Sequence, residues 1–172
     1  MNSTMFLIVR AAHVTAAAIW IGSHIFSTFM LMPAIDASGP SGGQVMMRIN
    51  RRGIVAYMLS VAALTLVSGL VLYWRFTGGF DPALAATHAG LAFGLGGTAG
   101  ILAGGIGGGV IGRGAKRMTA IASQLATPSN DAERANLMSQ AAALRRRMKI
   151  GSQLVTVLQA TAIVLMAVGH YV

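Results

Sequence analysis

Ile54-Val-Ala-Tyr-Met-Leu-Ser-Val-Ala-Ala-Leu-Thr-Leu-Val-Ser-Gly-Leu-Val-Leu-Tyr-Trp-Arg75 decides the fold, because it carries no charge until its last residue. A hydrocarbon core of about 30 Å takes roughly 20 mostly apolar helical residues to cross. The stretch ends on Tyr73, Trp74 and Arg75, aromatic and cationic types that anchor at membrane interfaces. Working outward, three further stretches qualify, at about 5–32, 84–112 and 150–171. Over 172 residues, 55% hydrophobic and 10% charged content leave too little polar surface to cover a soluble globule. The expected fold class is all-α: an integral membrane four-helix bundle, one transmembrane domain over residues 1–172.

A net charge of +9 raises the question of nucleic acid, but the basic residues gather in two connections. Segment 33–53 holds Arg48, Arg51 and Arg52; segment 113–149 holds Arg113, Lys116, Arg117, Arg134, Arg145, Arg146, Arg147 and Lys149. The positive-inside rule accounts for both and places them in the cytoplasm. No nucleic-acid partner is expected. The short connection after span 2 has only Arg75 and Asp81 beside it, so it and both termini are expected outside, in a multi-pass protein of a prokaryotic inner membrane. The first span reads as retained and not as a cleaved signal peptide, since no Lys or Arg precedes it and Arg10 lies within it.

Between the spans, Met32-Pro33 ends the first helix on this reading, and 36–43 (Asp-Ala-Ser-Gly-Pro-Ser-Gly-Gly) is a turn-rich loop. A helix then starts near Gln44 and runs into span 2. Asp81-Pro82 opens the third helix, by an aspartate cap and a proline at the first helical position. Within it Gly96, Gly100, Gly104, Gly108 and Gly112 recur every fourth residue, an extended small-xxx-small face that lets another backbone approach closely in lipid. That face is expected to pack a neighbouring helix or to form a homodimer. Asn130 with Glu133 resembles a capping box. From there the last helix runs for about 40 residues, roughly 60 Å at 1.5 Å per residue, so helices 3 and 4 are expected to extend into the cytoplasm as a hairpin over 113–149.

The chemistry rests on four histidines, His13, His24, His88 and His170, in otherwise nearly charge-free spans. A polar ring in hydrocarbon needs a partner, so such residues are functional candidates by default, and imidazole is a common ligand of haem iron, zinc and copper. His13 lies about 10 Å below the outer start of its helix and His24 about 16 Å deeper; His88 opens helix 3 and His170 closes helix 4. Three imidazoles are therefore expected in the outer half, with His13 and His88 as the first choice of axial pair for a b-type haem and His170 as the third candidate. Arg10, one turn outside His13, and Arg75 are candidates for haem propionates. His13, Trp20 and His24 share one helical face, which must point inward. A second haem at His24 would need a methionine, an open position or a symmetry mate as its other ligand. The alternative cofactor is copper, held by His13, His88, His170 and methionine thioethers.

Other chemistries are excluded by what the chain lacks. With no cysteine there is no disulfide, thiolate ligand, iron-sulfur cluster or covalent haem attachment. The spans hold no Asp or Glu for a carboxylate proton relay, and no nucleophilic triad, phosphate-binding loop or H-E-x-x-H motif is present. Electron transfer or haem-based redox chemistry, with a small diatomic as a substrate where one iron position is open, is the leading expectation. A copper-transport protein and a non-catalytic assembly subunit are the alternatives.

Arg10-Ala-Ala-His13-Val-Thr-Ala-Ala-Ala-Ile-Trp20-Ile-Gly22, then Met46-Met-Arg-Ile-Asn-Arg51-Arg52-Gly53 and Leu66-Val-Ser-Gly69-Leu70, resemble the superfamily of small helical membrane proteins that includes HemJ-type protoporphyrinogen oxidases and CopD-like copper-resistance domains. The resemblance covers the first two helices and, weakly, the third, and its most specific element is the H-x6-W-x-G spacing. It implies a haem-associated bundle with His13 as a ligand. Where HemJ-type enzymes show L-H-x-K-L, this chain has Thr87-His88-Ala89-Gly90-Leu91: the histidine is kept and the lysine is not.

Overall fold

The computed structural model describes residues 2–127 and 130–171, and every statement below concerns those residues. The first rod begins at Asn2, whose side chain accepts the Met5 N–H and so caps α1 (Ser3–Phe26). It does not stop at Pro33 as the sequence suggests. A π-helical turn, Ser27–Leu31, leads directly into α2 (Met32–Ala37), with Pro33 in its first turn. Proline has no N–H to donate and collides with the carbonyl one turn back, and a locally widened turn absorbs both defects.

The expected loop at 36–43 is also largely helical. Only Ser38 and Gly39 separate α2 from α3 (Pro40–Arg51), and Gly39 turns the chain at φ 58°. Gly42 then presses on the Ile35 carbonyl so closely that no Cβ would fit there. Composition misleads at this point because Pro40 opens a helix as readily as it breaks one, and the two glycines serve a reversal and a close contact.

Gly53, at φ 81°, ends α3 and starts α4 (Ile54–Phe76), the stretch that opened the sequence reading. A tight turn follows. Thr77, fully buried, donates its hydroxyl to the Tyr73 carbonyl and accepts the Phe80 N–H, which holds Phe80 left-handed at φ 68°. Asp81 caps as expected, yet the helix it starts, α5 (Pro82–Ala85), is a single turn. Thr87 caps the long one, α6 (His88–Ile106), by accepting the Gly90 N–H. A second π-helical stretch, Gly107–Gly112, joins α6 to α7 (Arg113–Leu125). The last rod is α8 (Asp131–Val168), 38 residues capped by Asn130 on the Glu133 N–H, as the capping signature implied.

Four rods are thus long and apolar enough to cross a membrane: Ser3–Ala37, Ile54–Phe76, His88–Leu125 and Asp131–Val168. They pack in the cyclic order α1, α4, α6, α8, with α8 back against α1. The core is thin, built on Trp20, Ala62, Ala103 and Val155 with Leu66, Ile106 and Leu158 around them. Even in the most buried rod only 22% of the apolar window is inside, and Leu7, Leu64, Val67, Ile101 and Val157 lie outward and exposed. That much continuous apolar surface suits lipid better than water. The chain is an all-α bundle with the makings of a multi-pass membrane protein.

The glycine stripe is largely consumed inside the chain. A Cβ at Gly96 would meet Ala162, Leu165 and Met166 of α8; at Gly100 and Gly104 it would meet Leu66, at Gly108 Leu59 and at Gly112 Val55, all of α4. The face expected to pack a neighbouring helix or a second copy seats α4 and α8, and Gly97, Gly105 and Gly107 have open space beside them. Beyond the stripe, Gly114 of α7 lies on Met148 and Leu144, so α7 and the first half of α8 form a packed hairpin.

Candidate functional site

His13 is half-buried in the seam between α1 and α4, where Thr65, Ser68 and Gly69 receive it. Its Nδ1 lies 2.9 Å from the Thr65 carbonyl and 3.2 Å from Ser68 Oγ. The Ser68 hydroxyl donates its only proton to main-chain carbonyls of its own helix, Leu64 or Thr65, so toward His13 it accepts. The carbonyl can only accept. Both partners therefore require the proton on Nδ1, and in the neutral ring Nε2 is left with its lone pair. Gly69 makes the arrangement sterically feasible: a Cβ there would come within 2.8 Å of His13 Cε1.

His24 is buried and committed differently. Its Nε2 donates to the Ser152 carbonyl at 3.0 Å, while Thr28 and Ser152 join their hydroxyls at 2.7 Å, tying α1 to α8. With Nε2 donating to a carbonyl, His24 is a structural tie between the first and last rods, and in the neutral ring its Nδ1 keeps the lone pair. Trp20, on the same face as expected, is a core residue that reaches toward Gly104 of α6.

At the other end of the bundle, the Arg10 guanidinium stands 3.4 Å from His170 Nε2. Arginine only donates, so His170 accepts and carries its proton on Nδ1. Phe93 of α6 meets the His170 ring edge to face with centroids 5.1 Å apart, and Phe76 of α4 meets Phe93 at the same separation. Arg10, Phe76, Phe93 and His170 thus join all four rods at one end, one helical turn from His13. His88 lies at this end too, but it is exposed in the first turn of α6 and hydrogen-bonds to none of the described residues. The structure joins Arg10 to His170 one helical turn from His13, sets the His13 ring against α4 and leaves His88 exposed in the first turn of α6. Arg75 is exposed beside Trp74, Gly78 and Gly79, and no described contact ties it to the histidines.

Among the described residues no three His, Asp or Glu side chains come together in a group that would hold a metal ion by themselves. His13, His88 and His170 are accordingly not drawn into one such group. Ser68 and Gly69 fall in a stretch that carries the resemblance but were given no role by the sequence reading, and Thr65 and, at depth, Thr28 and Ser152 were not singled out at all. Thr65, Ser68 and Gly69 do carry a signal, two hydroxyls and a glycine at spacings of three and four on an otherwise aliphatic helix, which puts them on one face. Comparison with protein-family models, curated proteins and solved structures finds no match for this chain.

Proposed function

We propose that this is a b-type haem protein of a prokaryotic inner membrane, in which His13 supplies an axial imidazole and the haem takes part in electron transfer or redox chemistry near the outer face. One observation carries the reading: His13 donates Nδ1–H to a backbone carbonyl, the orientation in which metal-bound histidines are held, with Nε2 left to bind. The His13 imidazole would hold a haem iron through Nε2, and the same end of the bundle offers His170, beside Arg10, or His88, in the first turn of α6, as a second residue that would hold it. A bound haem would supply reversible one-electron chemistry at its iron. The chain's own residues do the rest. Thr65 and Ser68 hold the imidazole tautomer, Phe76 and Phe93 wall the end of the bundle with apolar surface, and Arg10 supplies a positive charge for a propionate once it leaves His170.

An absorption spectrum of the detergent-purified protein tests this directly. A Soret band with reduced alpha and beta bands is expected, and His13→Ala is expected to abolish it while His24→Ala leaves it in place. His170→Ala and His88→Ala identify the second ligand by which one converts the spectrum to a five-coordinate form. A purified protein without a Soret band, or bands unchanged in His13→Ala, would end the proposal.

A further inference from the structure

The helix α3 carries three arginines whose charge no described residue answers. Arg48, Arg51 and Arg52 are all exposed, and at 100° per residue they fall in an arc of roughly 100°. Val45, Met46 and Ile49 occupy the neighbouring arc, so α3 is a short amphipathic helix with a cationic edge. Together Val45, Arg48, Ile49, Arg51 and Arg52 line an open hollow of about 560 Å³. None of the three guanidinium groups hydrogen-bonds to or pairs with a described residue. Three cations around one concavity repel each other, and an anion bound among them would relieve that repulsion.

The hollow's position narrows the choice of anion. Gly53, left-handed, breaks the chain between α3 and α4, so α3 leaves the axis of the membrane-crossing rod at its start, where a bilayer's headgroups lie. Gly42 against the Ile35 carbonyl holds α3 on α2, so the arginines sit on a fixed platform. Apolar Val45 and Ile49 share the hollow with the cations, a pairing that matches a phosphate with acyl chains attached better than a free phosphate ion. We infer that α3 binds the headgroup of an anionic phospholipid, with Arg48, Arg51 and Arg52 on the phosphate and Val45 and Ile49 against the start of the acyl chains. The inference rests on the membrane reading of the four rods and is independent of haem.

The test uses the full chain, delipidated in a neutral detergent and titrated with short-chain phosphatidylglycerol, phosphatidylcholine or inorganic phosphate, with bound molecules counted by native mass spectrometry. Saturable binding of phosphatidylglycerol is expected, with neither phosphatidylcholine nor phosphate competing at equal concentration. Arg48→Gln, Arg51→Gln and Arg52→Gln are each expected to weaken it about fivefold, the contribution of one basic side chain near an anionic surface. The triple variant, checked for helical circular dichroism, is expected to abolish the tight site, and if it does not fold the three single variants carry the comparison. Replacing Arg145, Arg146 and Arg147 of α8 by Gln, which removes the same charge elsewhere, should leave the tight site intact. Equal losses in the two triple variants would show diffuse attraction and overturn the site, and full competition by phosphate alone would overturn the lipid as its occupant. The spectrum of bound haem serves as a separate readout, so failure of either proposal is distinguishable from failure of the other.

Discussion

At the scale of single residues, the spans are governed by where their few polar groups find partners. His13 is placed by a carbonyl, a hydroxyl and a missing Cβ, so its most sensitive neighbour is a glycine. Gly69→Ala would put a methyl 2.8 Å from Cε1 of His13. The ring must then leave Thr65, and a loss of about 1–3 kcal/mol in unfolding free energy is expected in detergent-denaturation curves, the usual range for overpacking. Gln159 is the reverse case. It is 1% exposed on α8, and neither atom of its amide has a hydrogen-bond partner among the described residues. A buried amide without partners carries its full desolvation cost, so Gln159→Leu is expected to raise stability by about 1–3 kcal/mol in the same assay. A fall instead would reveal a partner for the amide. The sequence exposed the histidines as candidates but not their states, because a tautomer depends on which atoms of other helices face the ring.

At the scale of the elements, α6 shows how a repeated spacing divides between uses. Gly100 and Gly104, with Gly108 and Gly112 of the π-helical stretch that continues it, receive aliphatic side chains of α4, while Gly97 and Gly105 meet nothing. Gly104→Val, whose Cβ alone would lie 2.9 Å from Leu66, is expected to cost about 1–3 kcal/mol. Gly105→Ala, a residue away on the open side, is expected to leave stability unchanged or raise it by up to about 1 kcal/mol, since alanine is the better helix former. Thermal unfolding of the pair in one detergent checks both. If Gly105→Ala destabilises while leaving the monomer's helicity intact, that side of α6 is in use by a second copy. The start of α6 was misplaced by the sequence reading because Asp81-Pro82 is a sound helix start. It is spent on a single turn, and Thr87 makes the effective cap.

At the scale of the whole molecule, eleven of the thirteen basic residues lie in the two connections at the end opposite Arg10 and His170. If the positive-inside rule sets the orientation, an alkaline phosphatase fused after Tyr171 is expected to be active in the periplasm. The same enzyme inserted between Thr127 and Asn130 is expected to be inactive, and the reverse pattern would invert the topology. The four apolar rods, their approximate limits, the inward face of Trp20 and His24 and the long capped α8 were all legible in the chain, because span length, periodicity and capping are local properties with strong energetic consequences in lipid. The continuation of the first rod through Pro33, the helix in place of the 36–43 loop, the seating of α4 on the glycine stripe and the placement of each histidine were decided only by tertiary structure. Those outcomes depend on which helices become neighbours, and a close-packed seam selects among local alternatives that differ by about 1 kcal/mol or less in isolation.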